Sequence, residues 1–132
     1  MILSRFKGTP PNDGQDRKIE GGPLYSDIVE ILEKGDTVPW TMKCIRDIQS
    51  LSMEAEDIKQ MVLIAVSEGV FLGSEWCQGG KTESWAACDA YRFWHSTWCE
   101  NMHKELKNEF YIKFFVNTAG TVVLTVSLHL SS

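Results

Sequence analysis

The chain has 132 residues, with 13 Lys and Arg against 18 Asp and Glu, a formal net charge of −5 and 43% hydrophobic residues. This is the composition of one folded domain able to build a core without disulfide or metal staples, and it excludes nucleic-acid binding through a globally basic surface. No stretch reads as a signal peptide or membrane span, and Cys44, Cys77, Cys88 and Cys99 form no CxxC pair, so a reduced, cytoplasmic protein is expected.

Residues 1–25 carry Gly8-Thr9-Pro10-Pro11 and Gly21-Gly22-Pro23, separated by polar residues, and read as an irregular or mobile leader. Residues 26–132 read as a single α+β domain. Ile28, Val29, Ile31 and Leu32 fall on one side of a first helix, with Ser26 as the N-cap and Gly35 as the stop. Beyond Pro39, Met42, Ile45 and Ile48 recur at helical spacing. Ser52 opens a third helix whose Glu54, Glu56 and Asp57 suit the helix dipole, whose buried stripe is Ile58, Met61, Val62, Ala65 and Val66, and which ends at Gly69.

The period then changes. Val70 to Ser74 is a short apolar run, a loop follows through Gln78-Gly79-Gly80-Lys81, and Trp85 to Trp94 reads as a strand. Trp98, Met102 and Leu106 repeat at four, which predicts a short helix over 95–108. Phe110, Ile112, Phe114 and Val116, and then Val122, Leu124, Val126, Leu128 and Leu130, each alternate with a second set of residues and predict a terminal hairpin. Matching apolar faces requires a loop of odd length, Thr118-Ala119-Gly120, with Gly120 left-handed. That register pairs Tyr111 with Ser127, Lys113 with Thr125 and Glu109 with His129. It gathers Tyr111, Lys113, Ser127 and His129 on the open side of the sheet.

Those residue types suit metal-independent RNA cleavage, which needs a base for the 2′-hydroxyl, an acid for the leaving 5′-oxygen and a cation at the phosphate. His129 can serve as general acid or base, Tyr111 donates a proton or hydrogen bond, Lys113 supplies charge, and Glu109 would orient the imidazole. The same types also decorate any solvated sheet face.

Three helices followed by Val70-Phe71-Leu72-Gly73-Ser74, Trp85 through Cys88-Asp89-Ala90-Tyr91-Arg92, Tyr111-Ile112-Lys113 and Val126-Ser127-Leu128-His129 resemble, in that order, the MqsR toxin family. Its members are mRNA interferases of RelE-like α+β fold, with corresponding runs Phe-Tyr-Lys-Ser, Trp-Gln-Asp-Val-Tyr, Tyr-x-Lys and Ser-Phe-Lys. The resemblance spans residues 26–129. It implies about three helices on one face of a small antiparallel sheet, and an endoribonuclease toxin of a toxin–antitoxin system that needs no cofactor. Its partners would be RNA and a cognate antitoxin protein, with neither DNA nor membrane. The family's catalytic tyrosine falls on Tyr111 and its strand lysine on Lys113. Its Asp and Tyr fall on Asp89 and Tyr91, and a basic position falls on Arg92. The reading that follows has His129 as general acid or base, Tyr111 assisting proton transfer, Arg92 and Lys113 holding phosphate, and Tyr91 and Ser127 contacting RNA. The chain departs from the family at Leu72-Gly73, which replace Tyr-Lys, at Cys88, which replaces Gln, and at His129, which replaces Lys. Its segment 93–108 has no counterpart.

Other readings stand beside this one. A non-catalytic protein-binding or inhibitor protein on the same scaffold would use the aromatic segment to engage another protein. His95, Cys99 and His103 would share one face of a helix and offer zinc ligands, although residues spread over two turns fit one ion poorly. Trp76, Trp85, Trp94 and Trp98 either fill the core or offer a contact surface, with Trp94 and Trp98 the exposed pair. Arg92 either meets phosphate or pairs with Asp89 or Glu83.

Overall fold

The computed structural model describes residues 1–12, 14–79 and 84–131. In chain order they form β1 (Lys18–Ile19), α1 (Ile28–Lys34), β2 (Asp36–Pro39), α2 (Met42–Ser50), α3 (Ala55–Glu68), β3 (Val70–Gly79), β4 (Ser84–Cys99), β5 (Lys104–Val116) and β6 (Val122–Leu130). This is an α+β architecture with a mostly antiparallel sheet of order β1-β3-β4-β5-β6-β2, in which only β2 runs parallel to its neighbour, β6. No helix among the described residues is long and apolar enough to cross a membrane.

The helices form where glycines and capping groups delimit them. Asp27, not Ser26, precedes α1 and binds Arg5 instead of capping the helix, while the Gly35 amide closes the last turn on the Ile31 carbonyl. The Thr41 hydroxyl accepts from the Cys44 amide and donates to the Val126 carbonyl, which caps α2 and anchors it to β6. The third helix starts two residues later than expected. Glu54 and Asp57 form a reciprocal capping box, with the Glu54 amide 2.8 Å from the Asp57 carboxylate. Ile58, Met61, Val62 and Ala65 are buried as expected, and Val66 packs at the rim.

The helix expected over 95–108 is absent. β4 continues to Cys99, the chain turns at 100–103 with His103 at φ 49°, and β5 returns in unbroken register, from Cys99 opposite Lys104 to Asp89 opposite Phe114. Spacing of four among Trp98, Met102 and Leu106 fits a helix, but the residues also extend a hairpin whose inner half is already paired, and tertiary pairing decides. β2 was not foreseen either. It is four residues long, lies at the sheet edge and ends in Pro39, a residue that edges tolerate.

The terminal hairpin forms, with Gly120 at φ 73°, but its register differs from expectation. Asn117 bonds Val122, so four residues, 118–121, make the loop, and the Asn117 side-chain oxygen accepts from the Thr121 and Val122 amides. An even loop gives odd pairing sums, such as Val116 with Val123. A bulge between Lys113 and Phe114, with Val126 as the extra residue, restores even sums beyond it. Tyr111 therefore faces His129, and Lys113 faces Ser127. Near the loop, Val123 and Thr125 turn inward in place of Val122, Leu124 and Val126.

One sheet face is covered. Tyr91, Phe93, Phe110, Ile112, Phe114 and Leu128 lie there among the buried residues of the three helices. The leader is largely irregular, but it is tied to this framework. Leu3 and Met1 exchange hydrogen bonds with Trp85, the Arg5 amide donates to Val116, and β1 pairs with β3. The opposite face is open except at one end, where Trp40 packs edge-on against Phe115, with ring centroids 5.1 Å apart.

Candidate functional site

Antiparallel registers place the open-face side chains in rows across β3, β4, β5 and β6. One row contains Val70, Arg92, Tyr111 and His129; the next contains Gly73, Ala90, Lys113 and Ser127. Rows lie about 6.6 Å apart along the strands. Tyr111 and His129 occupy directly opposed positions, and their rings stack with centroids 5.3 Å apart and planes inclined by 22°. Lys113 Nζ lies 5.9 Å from the Tyr111 ring centroid and 2.5 Å from Glu75 Oε1.

The second row is small on its β3–β4 side, and this opens a cleft of about 300 Å³ beside Tyr111, lined also by Asp16, Lys18, Gly73, Glu75 and Ala90. Gly73 sits at the bulge that follows Phe71, with φ 140°, and a Cβ built there meets nothing within 4 Å. The resemblance puts a lysine at this position. A side chain would have room there but would force a backbone conformation that L-residues rarely adopt.

Protonation follows from partners. His129 Nδ1 lies 2.8 Å from the Leu130 carbonyl oxygen, which only accepts, so Nδ1 carries the hydrogen and Nε2 of the neutral ring keeps its lone pair. Burial raises the Tyr111 phenol above its ordinary value, against the lowering effect of Lys113, and the phenol therefore stays protonated at neutral pH. Burial alone would lower Lys113. The hydrogen bond to Glu75 and the neighbouring Cys77 and Tyr111 outweigh it, so Lys113 is raised and remains an ammonium. Arg92 Nε lies 3.6 Å from Glu109 Oε1, and its guanidinium lies 5.5 Å from the Trp94 ring centroid.

The fold thus brings together Tyr111, Lys113, Ser127, His129 and Arg92. It does not bring Tyr91. That ring is 7% exposed on the covered face, stacked on Phe114, and the alternation that puts Arg92 outward puts Tyr91 inward. Asp89 is likewise inward, accepting from the Leu24 and Tyr25 amides and the Ser74 hydroxyl. Glu109 pairs with Arg92 and does not orient His129, a consequence of the shifted register. Of the residues weighed as partners of Arg92, Glu83 lies outside the described residues. His95 and Cys99 are four apart on a strand, hence about 13 Å apart along it, and the shared helix face needed for zinc does not exist. The Cys99 and Trp98 side chains lie outside the described residues. Among the described residues no group of three His, Cys, Asp or Glu could hold a metal ion.

Glu75, Asp16 and Lys18 were not foreseen. Glu75 becomes legible only once β3 is known to run past Ser74, since alternation then places it on the side of Cys77 and Gly73. Comparison of the chain with protein-family models, curated proteins and solved structures gives no match.

Proposed function

We propose that this protein is a metal-independent endoribonuclease, an mRNA interferase toxin of divergent MqsR type on a RelE-like scaffold, masked by a cognate antitoxin that binds the open face. The observation that carries the reading is the stacked Tyr111–His129 pair beside an ammonium and an open cleft. His129 Nε2 takes the proton of the 2′-hydroxyl, the 2′-oxygen attacks phosphorus, and the 5′-oxygen leaves with a proton from the Tyr111 phenol. The products are a 2′,3′-cyclic phosphate and a 5′-hydroxyl. Lys113 and Arg92 face the charge that grows on the phosphoryl oxygens, and the phosphate competes with Glu75 and Glu109 for them. Ser127, beside Lys113 in the second row, contacts the RNA backbone.

The test is cleavage of end-labelled RNA by the purified full chain in chelator. Cyclic-phosphate ends should form, and be lost with His129→Ala and reduced with Tyr111→Phe. Equal cleavage by all three proteins removes the assignment.

A second reading, a non-catalytic protein-binding module, is favoured by one specific observation. Both cations already have carboxylate partners, and Val70, Leu72 and Trp94 expose apolar surface beside them. A wild-type chain that cuts no RNA but loses a protein partner on Trp94→Ala would establish it.

A further inference from the structure

Cys77 and Cys88 are unused by the chemistry above. They lie on adjacent strands and the same face, Cys77 opposite Ala86 and Cys88 opposite Glu75, so they are diagonal neighbours across the β3–β4 pair. Diagonal side chains in a twisted antiparallel pair approach each other, and each thiol shifts the ionisation of the other. Both are free and buried, but unequally: Cys77 keeps 8% exposure and Cys88 none. Lys113 is charged and close enough to act on both thiols, with its ion-pair partner Glu75 alongside.

We propose that Cys77 and Cys88 form a reversible oxidation site for hydroperoxides, with Cys77 as the attacking thiol and Cys88 as the resolving one. Access orders the roles, because only Cys77 meets solvent. Electrostatics agrees. The neighbouring Cys88 thiol, acting against burial and helped by Lys113, holds the Cys77 thiol below its ordinary value, whereas burial pushes Cys88 well up. The Cys77 thiolate attacks one peroxide oxygen, the O–O bond breaks, and the other oxygen leaves as hydroxide, which takes a proton to become water. Cysteine sulfenic acid remains. The Cys88 sulfur then attacks the Cys77 sulfur, the S–O bond breaks, and the hydroxyl leaves as water with the Cys88 proton. Two thiols and one hydrogen peroxide give one disulfide and two waters. The site does not depend on what Tyr111 and His129 do.

The experiment needs no variant to begin. The full wild-type chain is exposed to hydrogen peroxide, alkylated and digested with trypsin, which separates the four cysteines. Cys77 falls in peptide 60–81, Cys88 in 82–92, Cys44 in 44–46 and Cys99 in 93–104. The expected product is peptide 60–81 joined to 82–92, two hydrogens lighter than the sum and separated again by dithiothreitol. In Cys88→Ser the sulfenic acid on Cys77 persists and is captured by dimedone. Lys113→Met slows formation of the linked species by about tenfold. Met42 and Met102, both exposed, report that oxidant reached the protein. Their oxidation without the linked pair overturns the proposal, as does linkage through Cys44 or Cys99, or an unchanged rate in Lys113→Met.

Discussion

The two faces of the sheet are built from neighbouring residues of the same strands, yet they hold polar groups in opposite ways. On the covered face, Asp89 accepts from two backbone amides and the Ser74 hydroxyl, and is 1% exposed. Its hydrogen-bonding capacity is spent on fastening the leader to the sheet. On the open face, the next residue but two, Arg92, begins a row in which Tyr111 and His129 touch each other through their rings, with Lys113 beside the phenol. A polar cluster saturated by fixed backbone groups holds a fold together, whereas one held by ring stacking and ion pairs retains donors and acceptors for a ligand.

The largest expected difference between the faces comes from removing one group on each. His129→Ala should lower RNA cleavage by about 10³-fold, since a general base contributes about 10² to 10⁴, while the unfolding free energy stays within about 0.5 kcal/mol of wild type. Asp89→Ala should do the reverse. It strands the Leu24 and Tyr25 amides and the Ser74 hydroxyl in a buried site, and a loss of about 3 kcal/mol in unfolding free energy is expected, with cleavage per folded molecule retained. Parallel denaturation and single-turnover measurements check both, and a stability loss at His129 equal to that at Asp89 would erase the contrast. Between these lies Gly73→Ala. Its Cβ enters open space but its φ of 140° is strained, so a cost of about 1–2 kcal/mol in stability is expected from the backbone alone.

The open-face cluster was readable because parity survives two compensating errors. The four-residue loop shifts the register by one and the bulge at Val126 shifts it by one more, so Tyr111, Lys113, Ser127 and His129 stay on one side although their partners change. The three helices were readable from glycines 35 and 69 and from amphipathic spacing. The bulges at Leu72 and Val126 were not, because an apolar residue at the extra position continues the apolar pattern and leaves no trace in it. The 93–108 segment misled for a related reason, since charged and apolar residues at four-residue spacing also suit a ribbon with solvent on both sides. The Glu75–Lys113 bridge spans β4, which it can do because Ala90 and Cys88 beneath it are small, and no local pattern announces a pair 38 positions apart.

The smallest effect expected concerns acid. Burial raises Asp89 above the ordinary aspartate value, in spite of the bonds from Ser74, Leu24 and Tyr25 that favour its ionised form. Between the ordinary value and the raised one, the folded protein binds more protons at this site than the unfolded chain, so its contribution to stability falls as pH climbs through that window and is flat above it. Asp27, held down by Arg5, and Asp47, held down by Lys43, act with the opposite sign at lower pH, where their stabilisation is lost on acidification. The Asp89 part is therefore isolated as a difference. The gap in urea midpoint between wild type and Asp89→Asn should change through the window just above the ordinary aspartate range, with wild type losing ground as pH rises, and then stay constant. A gap independent of pH would mean that Asp89 ionises equally easily in the folded and unfolded chains.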